Sequence, residues 1–509
     1  MENKYYNSLN FLLAITLVAA SFIFQGNISF NLWDEGYLWY GVQRTMLGEI
    51  PIRDFMSYDP GRYYWSAALM HAWGDSSIMA LRASVAVFQS LGLFCGLLII
   101  SRNVKKQNFL YLFLSAITLI IWMLPRHKLF DISLSIFLIG ILSWLIESPT
   151  SRRYFITGLS IGIVAVFGRN HGIYGMAGSL GIIFWLNINR LHNVSLMKGL
   201  FHWTIGILIG FSPILLMTLF IPGFAIAFWH SITFLFELKA TNYPLPIPWP
   251  WLPAFNSLSI IEYIRQLFVG LFFIVILLAG ISSMLWVILQ KKRSKPVSAA
   301  FVAASFLMLP YAHYAYSRAD VAHLAQGIYP FLISSLLIIA TQKEIIRWFL
   351  GGLLFCSSFW VISIYQPVSQ CIPKNICDEI LISGNQLLID KKTAKDIKLL
   401  KDLTLKYATN DKSILVTPFW PGAYPLLNRK SPMWESYALF KRSDSFQSAE
   451  IKRIKDAQVG FILLMDIALD GRDDFRFVNT HPLINKYIVD NYQRIQFSQS
   501  PEYQIYIVK

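Results

Sequence analysis

Long apolar runs recur from residue 9 to residue 365, and no other feature constrains the fold as strongly. A backbone inside hydrocarbon must satisfy its own N–H and C=O groups, and uninterrupted apolar runs of this length select helices. Eleven runs are candidate spans: about 9–25, 77–101, 108–124, 129–146, 155–168, 172–187, 200–221, 264–290, 297–312, 328–341 and 348–365. Those at 155–168, 172–187 and 328–341 are near or below the roughly 17–25 residues of a perpendicular span and are expected to be shielded by neighbours. Charged residues make up 14% of the chain, against roughly 25% in soluble globules. The expected fold class is a polytopic α-helical membrane protein with about 11 transmembrane helices.

Lys and Arg set the expected orientation. With the N-terminus inside, the inner loops hold Arg102, Lys105 and Lys106; Arg152 and Arg153; Arg190 and Lys198; Lys291, Lys292, Arg293 and Lys295; and Lys343 and Arg347. The net charge of +15 is read as this loop bias, so no nucleic-acid partner is inferred. A first outer loop (26–76), a second (222–263) and the tail (366–509) then lie outside, and residues 1–365 form the expected membrane domain. The first run is followed by no small-residue cleavage site and reads as a retained helix. The proline-rich stretch 242–253 reads as an ordered, lid-like extended loop.

The tail is polar and mixed in charge. SILVTPFW, VGFILLMD and YQIYIVK read as strands and AEIKRIKDAQ as an amphipathic helix, which suggests a small extracytoplasmic α/β domain. In an oxidising space Cys371 and Cys377 either pair or remain free thiols. Trp420, Tyr424 and Trp434 either stack on sugar or are core aromatics of that domain.

Several cations sit where the topology disfavours them: Arg126, His127 and Lys128; Arg169 and His171; Arg318 and His323; and Arg62. They either hold an anionic group such as a phosphate at the outer surface or snorkel to ordinary headgroups. Acids share that side. Asp34 and Glu35 follow the first run, and Asp54 and Asp59 lie in the same segment. Apolar residues at helical spacing over about 35–48, then Tyr63, Tyr64 and Trp65, predict two amphipathic helices flat on the outer leaflet. One chemistry uses all of this: a lipid-phosphate-linked sugar held by cations, with a carboxylate deprotonating an acceptor hydroxyl. Asp34 alone reads equally as a helix N-cap.

WDEG directly after the first span resembles the Asp-Glu motif of the GT-C superfamily of membrane glycosyltransferases, within its protein O-mannosyltransferase and aminoarabinose transferase branch. YDPGRYYW resembles that branch's second motif in the same loop, and HLAQGIYP the short motif before a late span. FWPGAYPLLNRKSPMWE and NTHPLINKYI also look like tail segments of bacterial members. The resemblance implies a GT-C-type fold, a polyprenyl-phosphate sugar donor, outer-face catalysis and inversion at the anomeric carbon. It implies Asp34 as catalytic base, with Glu35 helping to set the site. Asp59 and Arg62 would lie near acceptor and phosphate, flanked by Tyr58 and Tyr63. Some relatives carry a lysine beside a Pro-Pro pair, where this chain has Arg62 after Pro60-Gly61.

The expected function is an inverting glycosyltransferase of the bacterial cytoplasmic membrane, using a polyprenyl-phosphate donor and a glycan or lipid acceptor. A transporter, flippase or ligase of lipid-linked glycans is the alternative. A carrier would place ionisable groups near the bilayer midplane, whereas these spans are almost free of charge. Asp34, Glu35 and His323 have metal-ligating chemistry, but no metal-binding spacing is present and no cofactor is assigned.

Overall fold

The computed structural model describes residues 2–103, 108–189, 194–239, 242–253, 258–372, 376–496 and 503–509. Lys105, Lys106 and Arg190 of the expected inner loops, and 240–241 and 254–257 of the expected second outer loop, lie outside the described residues. The chain forms two compact units. One comprises residues 1–26 and 83–369, the other 27–82 and 370–509.

In the first unit each of the eleven apolar runs falls on a helix. Among the described residues, five helices are long and apolar enough to cross a membrane: Asn7–Gln25, Ile78–Asn103, Arg126–Glu147, Ile260–Lys292 and Glu344–Tyr365. Two bent pairs raise this to seven: Leu196–Gly210 with Ser212–Phe220, bent by 52°, and Val321–Gly327 with Tyr329–Ala340, bent by 57°. Proline opens the second helix of each pair, where its missing N–H costs least. Phe109–Ile121, Ser151–Phe167, Arg169–Asn187 and Ala299–Ser317 hold the remaining runs. The expected loop at 222–263 contains a further apolar helix, Phe224–Leu238. Its Ile226, Trp229 and Phe236 are exposed.

Close backbone approach, the kind of packing that apolar helices use in a lipid solvent, joins two of these helices. Gly158 and Gly162 on Ser151–Phe167 face Gly206 and Gly210 on Leu196–Gly210. A methyl added at any of the four would run into carbonyl oxygens of the facing helix: Trp203 and Ile207 on one side, Phe155 and Leu159 on the other.

In the second unit, residues 27–82 supply two helices, Asp34–Met46 and Pro60–Trp73. Asp34–Met46 is not amphipathic: every residue from Glu35 to Val42 is buried. The aromatics therefore serve as core, and the expected flat-lying arrangement does not hold for this helix. The tail opens with a hairpin of β1 (Cys377–Ile382) and β2 (Asn385–Asp390). Ser383 and Gly384, both with positive φ, make its two-residue turn. Residues 27–29 run along β2: Ser29 N–H donates to the Leu388 carbonyl and Leu388 N–H to that of Asn27. Cys371 and Cys377 are joined as a disulfide.

A second sheet contains β3 (Ile414–Thr417), β4 (Phe461–Leu464), β5 (Tyr492–Ile495) and β6 (Gln504–Val508), in the order β3-β4-β6-β5. β3 and β4 are parallel and the other pairs antiparallel. β3 and β4 are buried on both faces, as continuous apolar strands must be. Leu415, Ile454, Ile462, Leu464, Phe477 and Ile488 form the core beside the sheet. The three expected strands are β3, β4 and β6, and the expected helix is Asp444–Asp456.

Candidate functional site

The second unit carries the acids of the opening stretch. Asp34 is the first helical residue, and it does not cap its helix. That task falls to Asn31, whose side-chain oxygen accepts from Trp33 N–H at 2.8 Å and Asp34 N–H at 3.0 Å. The Asp34 side chain is thereby spared from capping. It is half-buried, and its Oδ1 accepts from the Tyr437 hydroxyl at 3.3 Å. Glu35 is 5% exposed and differs from its neighbour. Arg82 donates to it twice, Nε to Oε1 and Nη2 to Oε2, each at 2.7 Å, and Nη2 also reaches the Ser29 carbonyl. A carboxylate held in this fork is a structural tie.

Residues 58–63 pack close by. Tyr37 meets Tyr58 edge-on at 4.9 Å and Tyr437 at 5.7 Å. The Arg62 guanidinium lies 4.8 Å from the Tyr58 ring centroid and is buried. Tyr63 is fully buried, and its hydroxyl accepts from Tyr58 N–H at 2.9 Å. Asp59 is buried at the start of Pro60–Trp73. Burial pushes the Tyr37 phenol well above its ordinary value, with nearby phenols and Glu435 adding to the effect. It is therefore a neutral hydroxyl.

The tail completes this cluster. Gly422 touches Gly36, the glycine of WDEG: a methyl on Gly36 would come 2.5 Å from Gly422 Cα, and Gly422 N–H donates to the Leu32 carbonyl at 2.9 Å. Tyr40 accepts from Ser431 N–H at 3.1 Å. Of the tail aromatics, Trp420 and Tyr424 are core residues, 3% and 0% exposed, so sugar stacking does not describe them. Trp434 is half-buried, with its indole N–H on the Ile52 carbonyl.

The first unit holds the remaining candidates. His171 is fully buried with both ring nitrogens engaged, Nε2 to Asp131 Oδ1 and Nδ1 to the Tyr311 hydroxyl, each at 2.8 Å. It therefore offers no ring nitrogen to a ligand. His323 Nδ1 bonds Asp320 Oδ1 and its Nε2 bonds Asn242, each at 2.8 Å. Arg318 donates to Asp320 Oδ2 at 2.9 Å, and its guanidinium lies 5.6 Å from the Tyr243 ring centroid. Burial raises the Asp320 carboxyl, but His323 and Arg318 outweigh it and hold it below its ordinary range. Arg169 donates to Ser231 Oγ at 2.8 Å and lies over Phe228. Arg126 donates to the Gln25 carbonyl. Arg126 and Lys128 are half-buried, on the short turn ahead of Leu129–Glu147. Among the described residues no group of three or more His, Cys, Asp or Glu side chains is placed to hold a metal ion.

Sequence reasoning missed Arg82, Glu435, Tyr437 and His481. The last three lie in or beside the tail segments set apart by resemblance, which was the available signal.

No family model and no curated protein matches the sequence. Solved structures do match. ArnT from Cupriavidus metallidurans in the apo state superposes with a TM-score of 0.55 at 10% identity, over 97% of this chain and 97% of that chain. The same protein bound to undecaprenyl phosphate gives 0.50 at 10% identity, over 98% and 97%. The oligosaccharyltransferase of Archaeoglobus fulgidus, in complex with Zn and sulfate, gives 0.52 at 12% identity, over 96% of this chain and 72% of that one. The chain shares the fold of these two proteins, in line with the fold class that the motif resemblance implied.

Proposed function

We propose that the chain is an inverting glycosyltransferase of a bacterial cytoplasmic membrane, transferring a sugar from a polyprenyl-phosphate donor to a glycan or lipid acceptor on the outer face. In this reading the eleven helical runs cross the bilayer with the N-terminus and the basic loops inside and the tail outside. Asp34 takes the proton of the acceptor hydroxyl as its oxygen attacks the anomeric carbon. The bond from that carbon to the phosphate oxygen breaks, and the lipid phosphate leaves with the electron pair. Arg62, Arg126, Lys128, Arg169 and Arg318 are the proposed counter-charges to it, with Asp59, Tyr58 and Tyr63 shaping the acceptor side and His323 ordering Asp320 beside Arg318. His171 is read as a structural tie between helices, since both nitrogens are engaged.

One observation carries the reading. Of the two adjacent acids, Glu35 is locked to Arg82, whereas Asp34 is relieved of capping by Asn31 and remains half-exposed among tyrosines. The fold shared with ArnT, a protein crystallised with undecaprenyl phosphate, supports the donor class. Asp34→Asn, purified in nanodiscs, should bind polyprenyl phosphate as the wild type does and release none from a polyprenyl-phosphate-sugar fraction. Near-normal release would remove the base assignment. Retained transbilayer movement of the lipid without transfer would favour the flippase alternative.

A further inference from the structure

The tail contains a buried charged cluster that this chemistry does not use. Glu435 is 1% exposed, and both its oxygens are engaged. Arg442 Nε donates to Oε1 at 2.7 Å, and His481 Nε2 meets Oε2 at 2.9 Å. His481 Nδ1 meets Thr480 Oγ1 at 2.9 Å, and its ring stacks on Phe477 at 5.0 Å. A buried pair of this kind is weak evidence for stability, because desolvation offsets most of the attraction. Its location suggests another use. Residues 431–443 form neither helix nor strand, so no backbone ladder fixes their path. Isolated backbone bonds and side-chain ties fix it instead. Trp434 N–H donates to Glu450 Oε2 at 2.8 Å, its carbonyl accepts from Met56 N–H at 2.9 Å, and its indole donates to the Ile52 carbonyl. Glu435 is the next residue, and two positions beyond it is Tyr437, whose hydroxyl reaches Asp34.

We infer that Tyr437 is a positioning residue for Asp34, and that the Glu435–Arg442–His481 cluster holds the segment presenting it, which makes the tail part of the reacting apparatus. This rests on the reading of Asp34 as the base. A hydroxyl donating to one carboxylate oxygen restricts rotation of the group. Glu435 is suited to the anchoring task. Burial raises its carboxyl, but Arg442 and His481 outweigh that and hold it below the ordinary range, so it stays anionic.

The test compares full-length wild type, Tyr437→Phe, His481→Phe and Asp34→Asn in nanodiscs. Turnover is read as polyprenyl phosphate released on adding the total lipid extract of the host membrane, which supplies both the polyprenyl-phosphate-sugar donor and the lipid acceptor. Loss of a hydrogen bond to a charged group predicts that Tyr437→Phe lowers kcat on the order of tenfold. Donor KM should stay unchanged. His481→Phe should do the same in smaller measure. A second readout needs no substrate: labelling by a water-soluble carbodiimide with glycine ethyl ester, mapped by mass spectrometry, with Asp54 as internal reference. Asp34 should label faster in Tyr437→Phe. Wild-type kcat and labelling rate in Tyr437→Phe, beside an inactive Asp34→Asn, overturn the positioning role and leave the base standing. An active Asp34→Asn overturns the base itself.

Discussion

Each of the two units contains an aspartate beside a tyrosine, and the two clusters differ in burial. In the first unit, Asp131 is 2% exposed, and its partner His171 has both nitrogens engaged. In the other unit, Asp34 is half-exposed and takes a long 3.3 Å bond from Tyr437. The residue types are nearly the same, but the first arrangement links three helices while the second leaves a carboxylate within reach of solvent and solute. Burial, more than residue identity, separates a structural tie from a candidate reacting group.

The sharpest way to break this comparison is to remove each acid. Asp34→Asn should lower turnover between about a hundredfold and ten-thousandfold, the usual contribution of a general base, with thermal unfolding in detergent unchanged. Asp131→Ala should do the reverse, costing about 1–3 kcal/mol of stability by leaving His171 unsatisfied, while the folded fraction turns over. If Asp131→Ala were folded and inactive while Asp34→Asn remained active, the two assignments would have to be exchanged.

Glu35 supplies the next contrast, since it adjoins Asp34 and is built like Asp131. Its partner Arg82 has a side chain only 2% exposed. Arg82→Leu strands a buried carboxylate and should cost about 3–5 kcal/mol. Thermal unfolding would register this, and the double variant Arg82→Leu with Glu35→Leu should recover much of it. A single Arg82→Leu as stable as wild type would show that Glu35 is not held as described.

The sequence announced one half of this comparison far better than the other. Apolar runs must become helices in hydrocarbon because the backbone has no other partner, so all eleven were visible in advance. Phe224–Leu238 was missed because a strict inside–outside alternation of spans left no place for it. The hairpin of β1 and β2 was missed although Ser383-Gly384 between two apolar stretches is a turn signal. At the candidate site, Asp34 and Glu35 were found by their position after the first run, yet nothing local said which of them would be locked. That depends on Arg82, 47 residues away, and on Tyr437, 403 residues away. Contacts at such separations have no periodicity to read. Whether Trp420 and Tyr424 stack on sugar or fill a core stayed open for the same reason: aromatic residues look alike in a sequence in either role, and burial decided for the core.

Glu450 offers a pH-dependent contrast within the tail. It lies under Trp434 N–H, paired with Arg453, and burial pushes its carboxyl up to about 7, with Glu435 adding and Arg453 opposing. A folded-state value raised above the unfolded one means that the folded protein binds the proton more tightly. The associated stability is fully present below the ordinary value of 4.5 and is lost as pH rises through about 7. The whole effect is at most about 3 kcal/mol. Thermal unfolding followed by tryptophan fluorescence should therefore show a lower midpoint at pH 8 than at pH 5, and Glu450→Gln should flatten that difference. An unaltered pH dependence in Glu450→Gln would assign it to other groups.

The smallest expected effect probes where the tail meets WDEG. A methyl on Gly36 would lie 2.5 Å from Gly422 Cα and 2.6 Å from its nitrogen, so Gly36→Ala must separate the two backbones. Overpacking of this kind costs about 2 kcal/mol. Gly352 is the control: it is also helical, but a methyl there meets nothing within 4 Å, and replacing glycine by alanine in an open helix position stabilises slightly. The informative quantity is the ratio of lost turnover to lost stability. If Tyr437 is held at Asp34 by the tail, moving Gly422 away from Gly36 should lower kcat in the fraction that remains folded. A stability loss with unchanged kcat per folded molecule would mean that the contact only braces the helix.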